Sequence, residues 1–87
     1  MTAHAQYWIG EAYLNKKDYQ QAIEAYERMI AAYPKSDKVA AALAKAGVAY
    51  AEMGNTAKAR GLLKRVVDDF PQSAAAALAK RRLADLK

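Results

Sequence analysis

Few side chains in this 87-residue chain could carry out chemistry, and their spacing argues against it. His4 is the single histidine and there is no cysteine. A zinc site would need several such ligands, so none is expected, and no metal or cofactor is assigned. Ser36 and Ser73 are the only serines, each two residues after a proline. That position suits a helix cap, and no base lies near either to make a nucleophile. Asp68 and Asp69 are adjacent. On a helix, neighbours point about 100° apart and do not converge as an acid/base pair. The glycines are isolated, so no phosphate-cradling loop is present. No catalytic residue is assigned, and the chain is read as a non-enzyme.

Charge narrows the partners. The net charge is +5, with Lys58, Arg60, Lys64, Arg65, Lys80, Arg81, Arg82 and Lys87 in the second half. Nucleic-acid binding would want these on one stripe with aromatics between them. The aromatics lie mostly in the first half instead. The basic residues are read as a solvated outer face, with no nucleic-acid partner. No run approaches the roughly 18 apolar residues of a membrane span, so no membrane insertion is expected. Met1-Thr2-Ala3-His4 lacks the basic and apolar regions of a signal peptide. On these features alone the chain is cytosolic, or a mature or excised piece of an exported protein.

The elements that position these residues repeat. A shift of 37 residues lays Gly10 on Gly47, Tyr13 on Tyr50, Ala22 on Ala59 and Pro34 on Pro71. Tyr33-Pro34-Lys35-Ser36 falls on Phe70-Pro71-Gln72-Ser73. A period of this size marks stacked supersecondary units, each burying its apolar face on the next. Five helices are predicted. The first runs from about Thr2 to Asn15, with Ala5, Ile9, Ala12 and Tyr13 at helical spacing. Asp18 caps the second, with Gln21 completing a capping-box pattern, and Pro34 stops it after Tyr33. Ser36 caps a third, from about Asp37 to Met53, which Gly54 ends in a left-handed conformation. Asn55 caps the fourth, which stops before Pro71. Ser73 caps the last, from about Ala74 to the end.

The residues Ile9-Gly10, Tyr13, Ala22, Tyr26 and Pro34, then Ala46-Gly47, Tyr50, Ala59, Leu63 and Pro71, resemble the tetratricopeptide repeat. The implied fold is an all-α helical array in one domain. Residues 1–34 form the first helix-turn-helix unit, 35–71 the second, and 72–87 a capping helix. Gly10 and Gly47 let the two helices of a unit cross closely. Ala22 and Ala59 keep the facing helix near, and Tyr13 and Tyr50 fill the gap to the next helix. Three extra residues after each proline are expected to lengthen the first helix of the next unit. Lys17 stands where the pattern prefers a turn glycine. Gln6 replaces the usual tryptophan, and Trp8 follows two positions later.

Within that group, the segments Ala5-Gln6-Tyr7-Trp8-Ile9-Gly10, Tyr33-Pro34-Lys35-Ser36-Asp37-Lys38, Gly54-Asn55-Thr56-Ala57-Lys58-Ala59 and Ala79-Lys80-Arg81-Arg82-Leu83 resemble the C-terminal domain of the YbgF/CpoB family of Tol-Pal system proteins. The resemblance implies a periplasmic adaptor that binds TolA and links outer-membrane constriction to septal peptidoglycan synthesis in cell division. The family's coiled coil and first repeat are missing, so the chain is read as a fragment or an engineered piece. Carried over residue by residue, the family's partner groove comprises Tyr7, Glu11 and Leu14 of the first helix. It adds Ala44, Val48, Ala51 and Glu52 of the third, and Leu78, Arg81 and Asp85 of the last. The expected partner is a protein, a TolA-type helical segment or peptide. The alternative is a truncated or designed scaffold with no native partner. It would self-associate as a weak homodimer through Tyr7 and Trp8, left exposed on the N-terminal helix.

Overall fold

A computed structural model describes residues 2–86, so Met1 and the basic residue Lys87 lie outside the described residues. Five helices follow in order: α1 Ala3–Asn15, α2 Tyr19–Ala32, α3 Val39–Glu52, α4 Thr56–Asp69 and α5 Ala74–Asp85. The described residues contain no strand. Each helix packs on the next, and α3 also meets α5. The resulting slab measures 36 × 28 × 17 Å.

Local sequence sets the boundaries. The Thr2 hydroxyl accepts the Ala5 N–H at 3.1 Å and starts α1. Asp18 and Asn55 accept from Gln21 and Lys58 at 3.4 and 3.3 Å, one repeat apart. Each fills a bond that the first helical turn leaves open. Both units turn alike. The Asp18 N–H donates to the Tyr13 carbonyl, and Asn55 donates to Tyr50, each at 2.9 Å. This wrap needs one left-handed residue: Gly54 at φ +84° in the second unit and Lys17 at φ +63° in the first. A glycine tolerates that conformation, while a lysine is strained in it.

The inter-unit turns correct two expectations. Ser73 caps α5 as expected, accepting the Ala76 N–H at 3.1 Å. Ser36 does not cap α3. Its Oγ accepts the Lys38 N–H at 3.1 Å inside a turn, and α3 starts at Val39 without a side-chain cap. Ala74 and Ala75 are strong helix formers and let the helix begin at once, whereas Asp37 and Lys38 are weaker. The residues after Pro34 are therefore spent on the turn and do not lengthen α3.

The core runs through the middle of the stack. Tyr26, Met29, Leu63 and Val66 are its largest fully buried side chains. Ala22, Ala42, Ala59 and Ala79 are completely covered. Such short side chains bring helix axes close, so a modest core still fills. Gly10 and Gly47 sit where the helices of each unit cross. A methyl group on Gly10 would lie 2.5 Å from the Tyr26 ring, and one on Gly47 would lie 3.0 Å from Leu63.

Candidate partner-binding groove

The first helix of each unit and the closing helix α5 line one open cleft of about 320 Å³. Leu14 and Asn15 come from the end of α1, Lys17 from the following turn and Tyr19 from the start of α2. Lys45, Val48 and Glu52 come from α3, and Leu78 and Arg82 from α5. On α3 the lining residues recur at intervals of three, four and seven, the spacing of one helical stripe. The floor is aliphatic, from Leu14, Val48 and Leu78. The rim is charged, with Lys17, Lys45 and Arg82 against Glu52.

A polar strut braces one wall. The Tyr26 hydroxyl donates to Glu11 Oε1 at 2.6 Å, and Lys45 Nζ lies 3.7 Å from Glu11 Oε2. One carboxylate thus joins α1, α2 and α3. Burial pushes the Tyr26 phenol far above its ordinary range, helped by its hydrogen bond to Glu11 and by the charges of Glu11 and Tyr7. Burial first, and then the Glu11 charge, also raise Tyr7. Both phenols stay protonated at neutral pH, so Tyr26 remains a donor. Lys38 Nζ sits over the Tyr7 ring, 5.1 Å from its centroid.

The cleft brings together Leu14, Val48, Glu52 and Leu78 of the expected groove. It does not bring in the others. Glu11 is occupied by the strut, and Ala51 and Asp85 lie outside the lining. Tyr7 is 8% exposed, 5.8 Å from the Tyr26 ring between centroids, and Ala44 is fully buried. Arg81 is exposed but does not line the cleft. These last three share a physical reason. Tyr7, Ala44 and Arg81 occupy one register of the 37-residue repeat. In α1 that register packs on Tyr26 of the unit's second helix, and in α3 it is fully buried. Arg81 is exposed because α5 has no such helix among the described residues.

The register one residue later belongs to the groove. Lys45 and Arg82 share it, 37 residues apart, and both line the cleft. Residue-by-residue reasoning missed them, although the repeat spacing carried the signal. The self-association pair also separates. Trp8 is 58% exposed while Tyr7 is core. A second, smaller cleft of about 210 Å³ lies on the opposite side, lined by Ile30 of α2, Leu43 of α3 and Leu62 of α4, among others.

Residues 1–72 match the tetratricopeptide repeat family. The chain belongs to that family. No curated protein matches it. Tetratricopeptide arrays mediate protein–protein interaction, and the open cleft across the first helices is where this array offers a continuous concave surface. Among the described residues, no group of three or more histidines, cysteines and carboxylates is placed to hold a metal ion. No helix of the described residues is long and apolar enough to cross a membrane.

Proposed function

We propose that this tetratricopeptide domain is a protein-binding module that holds one segment of a partner in the α1/α3/α5 cleft. The observation that carries this reading is the convergence of three helices, distant in sequence, on one aliphatic floor with a mainly basic rim. Leucine-like side chains of the partner would fill the floor, and its carboxylates would meet Lys17 and Arg82. Interfaces of this kind take most of their energy from a few buried anchors, with rim charges setting partner choice. The YbgF/CpoB resemblance makes a TolA-type helical segment the first partner to test, and the periplasm the compartment. The exposed Trp8 favours a second reading, a scaffold that pairs weakly with its own copy through α1.

Titration of the chain with a synthetic TolA helical segment and with a displayed-peptide selection tests the main reading. Lys17→Glu and Arg82→Glu alter exposed rim positions. Each is expected to weaken binding by about tenfold, roughly 1.4 kcal/mol, with the thermal melt nearly unchanged. Selected peptides that bind both variants as tightly as the parent would remove the groove as the partner surface. Peptides that bind in the groove, without any response to the TolA segment, would retain the module and discard that partner.

A further inference from the structure

Trp8 has the same place in the repeat as two groove residues. The positions Trp8, Lys45 and Arg82 are separated by the repeat length of 37 residues. Lys45 and Arg82 line the cleft from α3 and α5. By that spacing Trp8 continues the row onto α1, although it does not itself line the cleft. It is the large hydrophobic residue most exposed among the described residues, at 58%. Its ring meets the edge of Tyr7, 5.6 Å between centroids at 77°, so the core supports it from behind while the outer part stays open. A rigid, supported and exposed indole is the kind of anchor that dominates protein interfaces.

The two ends of the row differ in charge. Residues 2–37 carry four Lys and Arg against five Asp and Glu, while residues 38–86 carry nine against four. At the α5 end, Lys80, Arg81 and Arg82 are consecutive and exposed. At the α1 end the acid of that helix, Glu11, is already engaged by Tyr26 and Lys45. Lys38 already lies over the adjoining Tyr7 ring, so a further cation at Trp8 would meet like charge, whereas an apolar side chain would find the indole. We propose that the groove orients its ligand. A bound segment lies across the three helices with a bulky apolar side chain on Trp8, aliphatic residues over Val48 and Leu78, and carboxylates at Arg82. This rests on the protein-binding function proposed for the same cleft. Glu11 and Lys45 bridge α1 to α3, 3.7 Å apart, and α3 packs on α5, so the three helices offer one span.

The test is a set of double-mutant cycles between the full chain and a synthetic peptide. The peptide has two aspartates at one end, leucines in the middle and a phenylalanine at the other. Trp8→Ala is paired with replacement of the peptide phenylalanine by alanine, and Arg82→Ala with replacement of its aspartates. Matched pairs should be coupled by about fivefold or more, and crossed pairs should combine within about twofold. Trp8 is the only tryptophan. Its emission should shift to the blue on binding, and should not shift when the chain alone is concentrated. Binding that responds to Arg82→Ala but not to Trp8→Ala would overturn the orientation and leave the groove intact. A blue shift with concentration alone would overturn it too, by showing a second copy on Trp8. Absence of any binding by this peptide and by the selected peptides would sink both readings together.

Discussion

Gly10 approaches the ring of Tyr26, whereas Gly47, one repeat later, approaches the branched end of Leu63. The same substitution runs through the rest of the two crossings. Glu11 of the first unit corresponds to Val48 of the second, and the left-handed Lys17 corresponds to Gly54. The first unit is thus closed by a polar bond between an aromatic hydroxyl and a carboxylate; at the matching crossing the second has aliphatic packing, with Lys58 over the Tyr50 ring at 5.4 Å elsewhere between α3 and α4. One backbone plan accepts both solutions because each fills the space above a glycine. They differ in how much they can give. A ring tied to Glu11 at 2.6 Å cannot turn away without losing its partner, while Leu63 is held by no such bond.

The largest expected consequence is unequal tolerance of one methyl group. Gly10→Ala would place its Cβ 2.5 Å from the Tyr26 ring. It should cost about 2–3 kcal/mol through overpacking, which in a domain of this size lowers the melting temperature by roughly 10 °C or more. Gly47→Ala meets Leu63 at 3.0 Å and regains helix propensity, so it should stay within about 1 kcal/mol of the parent. Equal melts for the two variants would erase the distinction between the units.

Next comes the polar bond itself. Tyr26→Phe should cost about 1.5–3 kcal/mol, because it removes a hydrogen bond to a charged group and leaves part of the Glu11 carboxylate unsatisfied. The Tyr26 phenol is raised on folding, so the folded state favours its neutral form. That contribution is complete below the ordinary tyrosine value of about 10, and is lost as pH rises through the folded value. Denaturant melts of the parent should therefore weaken above about pH 10. Tyr26→Phe should flatten most of that slope, with the smaller remainder from Tyr7, raised in the same direction. An identical alkaline slope in parent and variant would assign it elsewhere.

The smallest effect has the opposite sign. Lys17→Gly should stabilise the first unit by about 0.5–1 kcal/mol, since the turn holds this residue at φ +63°. A thermal melt that does not rise would mean that Lys17 carries little strain.

The elements were largely legible because their signals are local. Asp18, Asn55 and Gly54 act where their types place them, and the prolines end α2 and α4. Ser36 misled because a cap also depends on the next residues in the chain, and Asp37-Lys38 does not start a helix as Ala74-Ala75 does. The groove was half legible. Leu14, Val48, Glu52 and Leu78 lie on stripes that helical spacing reveals. Tyr7 and Ala44 are next to that stripe, and only the position of the neighbouring helix shows that they are covered. The strut from Tyr26 through Glu11 to Lys45 joins residues of three helices, and nothing local in the sequence announces it. Val48 is a floor residue, only 9% exposed, so a charge placed there would disturb packing as well as binding. The exposed rim positions Lys17 and Arg82 are the cleaner probes.

The claim that the concave cleft is the partner surface is tested most directly by amide chemical-shift mapping of the labelled chain, titrated with a selected peptide or a TolA-type helical segment. The largest shifts are expected at Leu14, Lys45, Val48, Glu52, Leu78 and Arg82, with the opposite face quiet. Shifts centred on Ile30, Leu43 and Leu62, the cleft on the other side of the slab, would contradict the claim.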